Sequence, residues 1–291
     1  MKNYIPFFYS EIIKKQDKNY FLFSILGEDF VILLLSFTFI SNHPLSNAFG
    51  LFLLQISFWC VYEIGYIEND IIGEKFEDQA VLSHNYNSYK YSFQLWQPWV
   101  WAVTLSIFGI IFIDRNMLTV GSELNLSLFA VDNLKLLQIS RSLLCWLGFL
   151  LVLRFLFHIY NHINKQSRVW FYLFLQACRY CGYLVLLTTN TVGLVLLVSK
   201  ILTRSIQYVL YRYMGGESND WPMYFPRYFF YLLIYLLILG AIAANDRNIS
   251  LMFNYQVLSI IAFCLIRGCK HFQKVFFQFV HVSKDSSNRI V

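Results

Sequence analysis

Eight apolar runs, each about as long as a lipid bilayer is thick, constrain this chain more than any other feature. They cover approximately Tyr20–Ser41, Ala48–Ile67, Gln94–Ile113, Ile139–Tyr160, Val169–Leu187, Thr191–Leu210, Pro226–Asn245 and Leu251–Arg267. A hydrocarbon core of about 30 Å takes about 20 helical residues to cross. No water is present there to satisfy peptide N–H and C=O groups, so a spanning segment has to bond its backbone internally, as a helix does. With 57% hydrophobic and only 14% charged residues, the chain predicts an all-α, polytopic transmembrane helix bundle of eight spans, with room for a ninth. Gly27, Glu28 and Asp29 interrupt the first run, and residues 4–26 also read as an interfacial helix lying along the bilayer surface. The whole of 1–291 reads as one integral membrane domain, with 1–19 a cytoplasmic or interfacial segment and 268–291 a cytoplasmic tail.

Basic residues orient the bundle. With the amino terminus in the cytoplasm, the inside segments hold Lys2, Lys14, Lys15, Lys18, Lys75 and Lys90 among others, and the outside ones only Arg115, Lys135, Arg141 and Arg247. Both termini are therefore expected on the cytoplasmic side of a cell (inner) membrane. Topology and attraction to anionic membrane lipid account for the net charge of +6, and nucleic-acid binding is not inferred from it. Cys178 and Cys181 form a C-x-x-C inside a span, with too few nearby ligands to suggest a metal. His158 and His162 lie one turn apart, without an H-E-x-x-H.

Charge concentrates where the second span ends. In Cys60–Asp78, CVYEIGYIENDIIGEKFED, the acids Glu63, Asp70, Glu74 and Glu77 are spaced seven, four and three apart, so a continuous helix stacks all four on one face. Neighbouring like charges on such a face repel by roughly 0.2–0.5 kcal/mol, a cost that bound cations or facing basic groups offset. A basic stripe answers it at the end of the fourth span, where Arg154, His158, Asn161, Lys165 and Arg168 follow the spacing four, three, four, three. Arg154 lies far enough inside to call for a buried partner or an anionic ligand, and Arg179 in the fifth span is similar. Lys200, Arg204, Gln207 and Tyr211 repeat the pattern on the sixth, with Lys200 and Arg212 expected to snorkel to the headgroups.

Three spans that descend to one membrane face, one with an acidic end and two with basic ends, predict a cytoplasm-facing cavity inside an apolar bundle. Such walls suit an amphiphile with an anionic head, a polyprenyl phosphate or diphosphate. Carboxylates of this kind hold Mg²⁺, which binds one or two of them together with phosphate oxygens, while Arg and Lys contact phosphate directly.

The residues also carry a resemblance. Gly65-Tyr66-Ile67-Glu68-Asn69-Asp70, followed by Gly73, Lys75-Phe76 and Glu77, resembles the first aspartate-rich motif, N-D-x-x-D-x-x-x-D, of the UbiA-type intramembrane prenyltransferases. Asn69 and Asp70 match it, Gly73 stands where the middle Asp belongs, and Glu77 replaces the last. Tyr160-Asn161-His162-Ile163-Asn164-Lys165 is similar to the family's Y-P-x-x-K-R, with Tyr160 retained and Lys165 in place of Arg. The second aspartate motif is missing: no Asp or Glu occurs between Arg168 and Glu217, and its place reads Thr203-Arg204-Ser205-Ile206-Gln207-Tyr208. The resemblance covers about residues 20–267 and implies a bundle around a lipid-accessible cavity, Mg²⁺-dependent departure of diphosphate, and transfer of a prenyl or related group. Under it Asp70 and Glu77 are catalytic, and Asn69, Asp70, Glu74 and Glu77 hold metal or water. Asn69, Arg154, Tyr160, Lys165 and Arg204 then bind substrate. The alternative from another class is a non-catalytic lipid-binding or transporter-like membrane protein of a cell-envelope assembly.

Overall fold

The computed structural model describes residues 4–14, 19–77, 82–83, 85–89, 94–113, 117–118, 131–164, 166–213 and 226–269. Lys165, much of the outer segment after Ile113, the loop at 214–225 and the tail from 270 onward lie outside the described residues. The chain read from sequence as one domain divides into two compact units, one running to Asn190 and the other starting at Thr191.

The first unit opens with two segments wound at the wider π spacing, Tyr9–Lys14 and Phe21–Phe30, the second continuing as α1, Val31–Phe37. There follow α2, Pro44–Phe76; a one-turn α3, Tyr86–Tyr89; α4, Gln97–Phe112; α5, Val131–His162; and α6, Arg168–Cys181, which tightens into a 3₁₀ turn over Gly182–Val185. Among the described residues there is no strand, and one isolated bridge joins Leu118 to Leu187. Five helical stretches among the described residues are long and apolar enough to cross a membrane: Pro44–Phe76, Leu137–His162, Thr191–Tyr213, Arg227–Asn245 and Ile249–Cys269. The remaining apolar runs form shorter helices. The first is divided between the π-wound segment and the seven residues of α1, and the third is the 16-residue α4.

α2 organises the first unit. Pro44 sits in its first turn, where a missing N–H costs nothing. Its 33 residues extend about 50 Å, against about 30 Å of hydrocarbon, so some turns must leave the apolar layer. The polar end is the carboxyl one. α4 crosses close to α2 because both are glycine at the crossing: a Cβ on Gly50 would stand 2.7 Å from the Gly109 carbonyl oxygen. Ser57 donates to the Ala102 carbonyl at 2.8 Å and accepts from the Trp146 indole at 3.0 Å, which ties α2 to α4 and α5. Phe58, Trp59, Tyr62, Phe149 and Tyr183 fill the space between with aromatic contacts.

The interruption of the first run has a partner. Asp29 is buried, and the Arg179 guanidinium donates to its Oδ2 through Nε, at 3.0 Å, and Nη2. The Tyr180 hydroxyl donates to Oδ1 at 2.7 Å, and the guanidinium lies 4.7 Å above the Trp59 ring. The cation inferred at Arg179 is thus answered by a carboxylate of the chain itself, as an ionised group inside a bundle requires.

The second unit contains α7, Thr191–Tyr213; α8, Tyr231–Asn245, entered through a π-wound turn at Pro226–Phe230; a 3₁₀ turn at Ile249–Met252; and α9, residues 255–269. Here the snorkelling expected of Lys200 is corrected. Its side chain is wholly buried, with the ammonium 4.9 Å from the Tyr231 ring centre and 5.8 Å from that of Tyr228. The electron-rich faces of two tyrosines supply a stabilising environment that the ammonium would otherwise seek among headgroups. Arg212, by contrast, stacks over Tyr208 and Tyr211 near the end of α7.

Candidate functional site

The carboxyl end of α2 presents acids in three directions. On the first face, Glu63, Asp70 and Glu74 are met by the chain's own amino-terminal segment and by α3. Glu63, buried in the apolar part of α2, accepts from the Tyr4 hydroxyl, from the Phe7 N–H at 3.1 Å and from the Ser10 N–H at 2.7 Å. One turn before the polar end, Asp70 accepts from the Tyr9 and Ser83 hydroxyls, each at 2.5 Å, both on Oδ2. Glu74 accepts from the Tyr86 hydroxyl at 3.0 Å. Tyr9, Ile13, Ile67 and Tyr86 close over this face as an apolar cluster. Residues 4–14 therefore pack on the acids of α2, with Tyr4, Tyr9 and Ile13 buried, where a surface-lying helix would leave such a face to lipid. Burial, and after it the facing carboxylates Glu63 and Asp70, hold the Tyr4 and Tyr9 phenols well above their ordinary range, so both stay protonated donors.

Glu77 does not join that face. α2 stops at Phe76, and Glu77 is extended, at φ −106° and ψ 121°, so the regular stacking of four acids ends one residue early. Its carboxylate meets Arg168 at 2.9 Å instead. Arg168 also donates to the Ile163 and Asn161 carbonyls, each at 3.2 Å, and so caps the last turn of α5. Tyr160 lies beneath it, 5.7 Å from ring centre to guanidinium.

The third direction belongs to Glu68, which sequence spacing passed over. It lies five residues after Glu63, off the stripe, and faces α5. Arg154 donates to Oε2 at 2.6 Å, Asn161 to the same oxygen at 3.0 Å, and His158 Nδ1 stands 2.8 Å from Oε1. Asn161 also donates to the Gly65 carbonyl at 3.0 Å. The helices come this close because position 65 is glycine: a Cβ there would lie 2.4 Å from the Phe157 ring. The stripe on α5 was legible from its spacing, and its need for an anion pointed to α2. Within α2, Glu68 is the acid that the first stripe does not use.

Of the residues singled out from sequence, the structure thus joins Arg154 to Glu68 and brings Glu77 and Tyr160 to Arg168. Asp70 and Glu74 are set against hydroxyls of the amino-terminal part of the unit. Asn69 is half-buried on α2 between these faces. Arg204 belongs to α7 in the second unit, and Lys165 lies outside the described residues. Asp70 and Glu74 offer the hard oxygens that Mg²⁺ takes, and an ion there has to compete with Tyr9 and Ser83 for Asp70 Oδ2. A different donor set, Glu68 with His158 and His162, places one ligand atom from each residue within 4.8 Å of the others. Compared with protein-family models, with curated proteins and with solved structures, the chain finds no match.

Proposed function

We propose that this chain is a UbiA-like intramembrane transferase that binds an amphiphile with a phosphate head, a polyprenyl phosphate or diphosphate, and moves a prenyl or related group. The supporting observation is the pairing of Glu68 and Glu77 with Arg154 and Arg168, near Asp70 and Glu74 at the carboxyl end of α2, where nine helical residues rise about 14 Å. Such pairs form a resting arrangement that a metal-bound phosphate enters by exchange. Mg²⁺ would be held by the carboxylates of Asp70, Glu74 and Glu77 and the amide oxygen of Asn69, and Arg154 and Arg168 would offer their guanidinium groups to phosphate oxygens in the bidentate geometry that arginine favours. Lys165 and Arg204 enter this reading through the resemblance alone, Arg204 standing where the resembling family carries its second aspartate motif. Both termini and the polar helix ends face the cytoplasm on this reading.

Mass spectrometry of lipids that co-purify with the protein, followed by Mg²⁺-dependent thermal stabilisation in detergent, tests the proposal. An isoprenoid phosphate should be retained, and Asp70→Asn and Glu77→Gln should each lose the Mg²⁺ response. Retention of ordinary phospholipid alone, with both variants responding like the parent, would sink it. One observation favours the second reading, a non-catalytic lipid-binding protein of an envelope assembly: Glu63 and Asp70 are already met by hydroxyl and amide donors of the chain. Under that reading Asp70→Asn loosens the amino-terminal segment and leaves the Mg²⁺ response untouched.

A further inference from the structure

We propose that Glu68, His158 and His162 form a binding site for a divalent transition metal of the Zn²⁺ class, separate from the oxygens of Asp70 and Glu74 and independent of the transferase reading. One ligand atom from each residue lies within 4.8 Å of the other two. Zn²⁺ binds imidazole and carboxylate at about 2.0–2.2 Å, which sets tetrahedral ligands roughly 3.4 Å apart, so the widest separation has to close by at most about 1.4 Å. The rings have room to draw in, since the His158 side chain is 55% exposed and His162 is exposed.

The three residues are also presented correctly. His158 and His162 share one helix face with ring centres 4.2 Å apart, the i, i+4 spacing by which a helix offers two imidazoles to one ion. His162 Nδ1 stands 2.8 Å from the His158 carbonyl oxygen. A carbonyl only accepts, so the ring proton is on Nδ1 and Nε2 carries the lone pair a metal needs. Glu68 is held from behind: Arg154 and Asn161 both donate to Oε2, and Oε1 accepts at 2.8 Å from His158 Nδ1, whose proton gives up its place to a bound metal. Supporting bonds of this kind orient a ligating carboxylate and set its basicity. Two nitrogens and one oxygen suit a borderline ion, whereas Mg²⁺ prefers oxygen alone and keeps its waters. Three protein ligands leave a position open for water or for an anionic oxygen.

The test takes the full chain, purified in detergent through a tag without histidine, and titrates it with Co²⁺ as an optical probe and then with Zn²⁺. A single Co²⁺ should give visible d–d absorption that Zn²⁺ removes and excess Mg²⁺ leaves in place. His158→Gln and His162→Gln, both at exposed positions, should each weaken Co²⁺ binding about tenfold or more, and the double substitution should abolish it. His43→Gln, just before α2, should change nothing. Absence of the bands from the parent overturns the proposal without any variant, as does their persistence in the double variant.

Discussion

At the scale of single residues, the polar groups of this protein are held in pairs, and the pairs set what each substitution does. Glu68 and Arg154 have side chains only 15% and 23% exposed. Removing one partner leaves the other charged in a partly desolvated place, so Glu68→Gln should cost about 1–3 kcal/mol of stability. Arg154→Met made alongside it should return part of that loss, and a double-mutant cycle read by thermal unfolding in detergent measures the coupling. Tyr9 carries a prediction in pH. Its phenol is held above its ordinary value in the folded protein, so its contribution is complete below about pH 10, where the unfolded chain's phenol begins to ionise, and is lost as pH rises further. Proteolytic release of the amino-terminal segment should therefore increase above that pH. Tyr9→Phe, which lacks the hydroxyl, should release the segment more readily at neutral pH, by about 1.5–3 kcal/mol, without that alkaline step.

At the scale of elements, the site depends on how closely α2 and α5 approach. Gly65 faces the Phe157 ring, and the Asn161 amide reaches the Gly65 carbonyl across the same gap. Gly65→Ala has to displace the ring or part the helices, an overpacking that costs about 1–3 kcal/mol. Because parting the helices also withdraws Arg154 and His158 from Glu68, the variant should lose more than a clash alone. Phe157→Leu combined with Gly65→Ala should restore stability toward the parent. A double variant no more stable than Gly65→Ala would show that ring contact is not what limits the approach.

At the scale of the whole molecule, the basic-residue asymmetry makes a prediction for the side of the membrane on which each loop lies. Reporter fusions after Val120 should read as external, and fusions after Lys90, Ser167 and Ser218 as cytoplasmic. An external signal after Lys90 would put the carboxyl end of α2, with Asp70, Glu74 and Glu77, on the wrong face for a cytoplasmic phosphate, and the proposed function would fail with it. The metal site inferred at Glu68, His158 and His162 would stand, since its donors need no particular side.

The sequence by itself determined that the chain is helical, that several of its helices are long and apolar enough to cross a membrane, and that α2 and α5 each carry a polar stripe. These follow from local properties: the length of an apolar run, the need of a peptide group in lipid to bond within its own helix, and the angular spacing of side chains along one helix. Pairing required the tertiary structure. Asp29 with Arg179 and Tyr9 with Asp70 join residues 150 and 61 positions apart, and no spacing rule within one helix reaches that far. Lys200 shows the same division. Its place near a helix end fits a snorkelling side chain, and only the packing of α8 against α7 puts Tyr231 where the ammonium is enclosed. Glu77 left its stripe because α2 stops at Phe76, and its carboxylate pairs with Arg168 of α6, a partner 91 positions away.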